Sequence, residues 1–178
     1  AYPQDRPSYP LKEGSYVEGS EKNNFLSLKI FLSTIAIILS VCFTNLHANI
    51  IKDAHVEAEL VPEVESIQPG NPFWLALRLK MDKGWHTYWK NEGDAGLPTK
   101  IQWDLPDGFK AGTLELPYPK KFGESPLMSY GYDGEVFLLT KIYPPPTLTA
   151  GQIKIIKARA DWLACEAKCI SGQANLEL

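Results

Sequence analysis

From Lys52 onward the apolar residues recur with a period of two. Within residues 71–80, Phe73, Leu75, Leu77 and Leu79 share one side of an extended chain, and Trp74, Ala76, Arg78 and Lys80 share the other. That alternation is the mark of a half-buried strand. The same pattern sets Val56, Ala58 and Leu60 against Glu57, Glu59 and Val61, and Val136, Leu138, Thr140 and Ile142 against Glu135, Phe137, Leu139 and Lys141. Another long strand is expected within residues 151–165, after the proline run at 144–146. Turn-forming clusters (QPGNP, MDKG, NEGDAGLP, LPDG, YDG) separate these segments, and no stretch beyond residue 50 keeps a helical stripe for three turns. Short strands between Gly, Pro and Asp turns predict an all-β domain over residues 49–178, an immunoglobulin-like antiparallel β-sandwich. The usual inter-sheet bridge between distant cysteines is not available, because Cys165 and Cys169 stand close together in the chain.

The N-terminal part reads differently. Residues 1–24 hold several prolines, few aliphatic residues and no periodicity, as expected of a disordered leader or a fragment edge. Residues 25–48 contain a charge-free apolar core at 30–43, preceded by Lys22 and Lys29. Its length suits the hydrophobic region of a signal peptide better than a full bilayer span, which takes about 20 apolar residues. Ala48 offers a small residue for cleavage, and an uncut segment would anchor the same domain on the same side. A lipid-attachment reading around Cys42 is disfavoured by the bulky Val41 before it. Each route exports the domain to a compartment where disulfides persist.

Composition narrows the function classes. The charged fraction of 22% is ordinary for a globular chain, and the net charge of -3 leaves no basic footprint for nucleic acid. Trp85, His86, Tyr88 and Trp89 cluster before a polar loop, and Tyr130 and Tyr132 flank a glycine. Large rings of this kind fill a sandwich core and its corners. His86 reads as a packed or surface histidine, and with His55 the only other one in the domain no metal constellation is expected.

Cys165 and Cys169 are the residues with chemistry to offer. A structural staple, a redox couple and a metal pair all remain open at this point. A bridge closing so short a loop constrains the unfolded chain less than the ~3 kcal/mol expected of a 15-residue loop. Lys168 beside Cys169 favours a thiolate, and Glu166 beside Cys165 opposes one. Exchange needs only a reachable disulfide, an attacking thiolate and a second cysteine to resolve the mixed disulfide. Zinc would want more ligands than the pair supplies, whereas two thiolates suit copper(I), which stays a minor alternative. A binding module stapled by the same bridge, with residues 85–89 as its contact surface, is the main alternative.

Three ordered stretches carry a family resemblance: GWHTYWKNEGDAGLPTKIQWDLPDGFKAGTLELPYPKKF, SYGYDGEVFLLTKI and ADWLACEAKCISGQANLEL. Across roughly residues 52–178 the chain resembles the periplasmic N-terminal domain of the thiol:disulfide interchange protein DsbD, in the branch that includes ScsB. The resemblance implies an immunoglobulin-like periplasmic domain acting as a protein-disulfide reductase component. Its pair, here Cys165 and Cys169, would take electrons from a membrane-embedded domain and pass them to thioredoxin-like periplasmic proteins, with no cofactor beyond the disulfide. It also implies a cap loop whose aromatics shield the pair, for which Tyr130 and Tyr132 are the candidates, and a supporting role for Trp162 beneath the site. The sequence departs from the family pattern at ISG, residues 170–172, where a proline is expected before the glycine. On order of attack, Lys168 points to Cys169, whereas the frequent priority of the first cysteine in such pairs points to Cys165, which is the preferred attacker here.

Overall fold

The described residues of this computed structural model are 49–124 and 126–178. The expected leader, the signal or anchor segment and Cys42 lie outside them. Among the described residues there are eleven strands and no helix: β1 (Ile51–Asp53), β2 (Val56–Pro62), β3 (Phe73–Met81), β4 (His86–Gly93), β5 (Lys100–Asp104), β6 (Lys110–Glu115), β7 (Lys120–Phe122), β8 (Ser129–Asp133), β9 (Glu135–Tyr143), β10 (Lys157–Cys165) and β11 (Cys169–Glu177). They form an antiparallel sandwich of the immunoglobulin-like kind. One sheet has the order β1-β2-β3-β9-β6 and the other β11-β10-β4-β8-β7, with β5 added along β10.

The period-two pattern chooses the inner faces. Leu75, Leu77 and Leu79 of β3, Val56, Ala58 and Leu60 of β2, and Leu138 and Ile142 of β9 are almost completely buried. Each such leucine or isoleucine contributes about 1.5–3 kcal/mol relative to an exposed position. On the outer face of this sheet Arg78 of β3 donates to Glu59 of β2 at 2.6 Å and to Glu135 of β9 at 2.7 Å. Glu59 is the direct cross-strand partner of Arg78 and Glu135 is a diagonal neighbour, so the ion pairs reinforce the alignment set by the leucines.

In the second sheet β10 is the organising strand. It pairs with β11 along its whole length. Its other edge is shared by β5, opposite Lys157 to Asp161, and by β4, where Cys165 faces His86. The inner face of the hairpin is built from small residues, Ala158, Ala160, Ala164 and Ala174, with Trp162 and Leu176 filling the space they leave. Trp162 faces Gly172 across the hairpin, and a Cβ on Gly172 would stand 2.3 Å from the indole nitrogen. The glycine is therefore required by the close approach of the ring.

Gly172→Ala is expected to lower the unfolding free energy by about 1–3 kcal/mol through overpacking, whereas Ser171→Ala, on the exposed side of the same strand, should stay within about 0.5 kcal/mol of the parent. Urea denaturation followed by tryptophan fluorescence measures both. Equal midpoints for the two variants would rule out the Trp162 contact as the reason for the glycine.

Candidate functional site

β10 turns into β11 through Glu166, Ala167 and Lys168, with the Glu166 amide donating to the Lys168 carbonyl at 3.2 Å. The register sets Cys165 directly opposite Cys169, with Cα atoms 4.1 Å apart, and the two are joined as a disulfide. Narrow antiparallel pairs have Cα separations near 4.5 Å. The hairpin itself therefore brings the sulfurs together. Lys168 stands exposed in the turn, next to the second cysteine.

Alternation along β10 decides what surrounds the pair. Cys165 and Cys169 project from the outer face of the second sheet, because Ala164 and Trp162 take the inner one. Trp162 is thus on the opposite face from the sulfurs, packed under the sheet. The two cysteines differ sharply in access. Cys165 is 2% exposed, whereas Cys169 is open to solvent.

The cover over Cys165 comes from strands distant in sequence. His86 is its register partner on β4. Phe122 of β7 stacks on the His86 ring at 4.5 Å and 12°, and Tyr88 meets the same ring edge-on at 5.2 Å. The Tyr88 hydroxyl lies 3.9 Å from the Cys169 sulfur. Tyr88 is pinned in turn by Gly96, whose φ is +128° and where a Cβ would fall 2.2 Å from the tyrosine ring. Any side chain there would displace the ring.

Electrostatics at the site are muted. Burial lowers the His86 pKa below its ordinary value and outweighs the opposite pull of Asp133. Asp133 stands across from His86 on β8 and is paired with Lys120 of β7. Burial raises the Tyr88 phenol, so it stays a neutral donor. Among the described residues no cluster of His, Cys, Asp and Glu is arranged to hold a metal ion.

Tyr130 and Tyr132 are set elsewhere by the register. Tyr132 pairs with Thr87 and Tyr130 with Lys121, positions that alternate with those facing the cysteines. Tyr132 belongs to the core, its hydroxyl donates to the Pro117 carbonyl at 2.8 Å, and burial pushes its pKa up to about 12. Tyr130 is partly exposed, at 38%. The aromatic ring brought to the sulfur pair is instead Tyr88, with His86 against it and Phe122 stacked on His86. Reading residues 85–89 with period two separates Trp85, Thr87 and Trp89 from His86 and Tyr88, which is the sequence signal for two of the three. Nothing local in the sequence marks Phe122.

The family described as "Thiol:disulfide interchange protein DsbD, N-terminal" matches residues 57–178. Among solved structures, the N-terminal periplasmic domain of ScsB from Proteus mirabilis is similar with a TM-score of 0.54 and 19% identity, covering 73% of this chain and 49% of that one. The chain spans about half the length of that structure, and at this identity the likeness concerns the fold. The GAE domain of GGA1 from yeast is similar over 74% of this chain and 98% of its own, at 12% identity and a TM-score of 0.38 that carries no argument. No curated protein matches the chain. A match spanning nearly all of the described domain, ending on a hairpin whose two cysteines face each other, means that the chain belongs to the family of the DsbD N-terminal domain, a thiol:disulfide interchange domain.

Proposed function

We propose that the domain is a dithiol–disulfide carrier of the periplasm, taking electrons from a membrane-embedded reductase domain and passing them to oxidised thioredoxin-like proteins. The observation that carries this reading is the unequal access of two sulfurs held in one register pair. Exchange proceeds through a mixed disulfide, so one sulfur must be reachable and the other must lie beside it, ready to displace the partner. Cys169 meets the first requirement and Cys165 the second. Exposure therefore favours Cys169 as the attacker and Cys165 as the resolving cysteine, the reverse of the order preferred from position in the motif.

Phe122, Tyr88 and His86 take the shielding role expected of Tyr130 and Tyr132. His86 stands opposite the buried Cys165, and the Tyr88 hydroxyl lies at the edge of Cys169, which stays open to a protein thiol. The family and the periplasmic ScsB domain support exchange with other redox proteins in an exported location. Membrane association, through the N-terminal segment or through further domains, and a setting in cytochrome c maturation or copper tolerance complete the reading.

Two experiments test it. Cys165→Ser should accumulate a mixed disulfide with an oxidised thioredoxin-like protein through Cys169, whereas Cys169→Ser should yield at least about tenfold less, since a thiol cut off from solvent attacks poorly. Non-reducing gels with mass spectrometry read the outcome, and equal or reversed yields would overturn the assignment. Reduction of the native pair should keep the β-sheet circular dichroism, cost no more than about 2 kcal/mol of stability and occur at a potential between about -270 and -180 mV. Unfolding on reduction, or a potential well below that range, would identify a structural staple in a binding module instead.

A further inference from the structure

We infer that His86 is the proton acceptor for Cys165 when that cysteine closes the disulfide. The inference rests on the carrier reading above and adds a residue and a step to it. His86 and Cys165 are opposed across β4 and β10 and so present their side chains on one face, with Cβ atoms of such pairs about 4.5–5.5 Å apart. The two residues are therefore neighbours on the outer face of the sheet. Cys165 is 2% exposed, so solvent has almost no path to take its proton. The ring is held in place from two sides, by the Phe122 stack and the Tyr88 edge.

The charged and titratable groups facing this ring come from every neighbouring strand. β8 presents Asp133, which is engaged by Lys120 of β7. The hairpin presents Cys169 and, in its turn, Glu166 and Lys168, and the Glu166 carboxylate lies over Gly84 just ahead of the His86 strand. β4 itself adds Tyr88, whose phenol remains protonated. Asp133 raises the His86 pKa, but burial outweighs it and favours the neutral ring.

The chemistry balances without any further reagent. The Cys169 thiolate attacks a partner disulfide and releases one partner sulfur as thiolate. The Cys165 thiol gives its proton to His86, and the resulting thiolate attacks the Cys169 sulfur. The bond between Cys169 and the partner breaks, the second partner sulfur leaves as thiolate, and the imidazolium returns its proton to solvent. Two electrons pass from the dithiol to the partner, and the Cys165–Cys169 bond remains.

The test uses the full chain carrying Cys42→Ser, which leaves Cys165 and Cys169 as its thiols, fully reduced, and the chromogenic disulfide dithiobis(nitrobenzoate). Each molecule releases two coloured thiolates in sequence, the first on attack by Cys169 and the second on resolution by Cys165. The readout is the ratio of the second rate to the first. With His86 present this ratio should fall as the imidazole becomes protonated, at a pH below the ordinary histidine range because burial lowers its pKa. His86→Phe, which keeps a ring against Phe122, should lower the ratio about tenfold or more near neutral pH and abolish the inflection. His86→Gln should do the same and provides the test if the phenylalanine variant does not fold. A ratio within about twofold of the native one across the pH range, in either folded variant, overturns the role of His86. If the first release is lost in Cys165→Ser and kept in Cys169→Ser, the order of attack fails instead, and the inference fails with it.

Discussion

The direct pairing of Cys165 with Cys169 across the β10–β11 hairpin is the constraint on which the site depends. Residues opposed in an antiparallel pair must point to the same face, so both sulfurs emerge together and remain together whether or not they are bonded. A register slipped by one residue would send one of them into the core. The long run of pairs between Lys157–Glu177 and Cys165–Cys169 resists such a slip, and the packing of Trp162 on Gly172 fixes it from below.

This arrangement separates stability from chemistry. The buried leucines of β3, the small residues of the hairpin and Trp162 lie between the sheets, while the cysteines lie on the far side of one sheet. The disulfide closes one short covalent loop on the outer face, apart from the inner packing. The modest entropy of a bridge that closes so few residues is consistent with a bond made to be exchanged.

The outer face also imposes a difference between two chemically identical side chains. Cys165 is flanked by β11 on one side and β4 on the other, where its register partner is His86 with a ring backed by Phe122, whereas Cys169 opens the outer strand. Neutral aromatic neighbours, rather than a strong charge, make up most of that environment. The two sulfurs therefore differ chiefly in access, with His86 the titratable residue opposite the buried one.

The sequence by itself determined the class of fold, the inner faces of β2, β3 and β9, and the cysteine pair, because each follows from period-two alternation or from neighbours a few residues apart. It also carried the family, through three motifs in order. The identity of the covering aromatics was decided only by tertiary structure. Tyr130 and Tyr132 flank a glycine in a plausible loop motif, yet the pairing of β8 with β4 and β7 turns them away from the sulfurs. His86 and Tyr88 come to the cysteines, and Phe122 to the His86 ring, from strands far away in the chain. Local spacing fixes which side of its own strand a residue occupies, but which strand lies alongside, and in what register, is set by the packing of the whole sandwich.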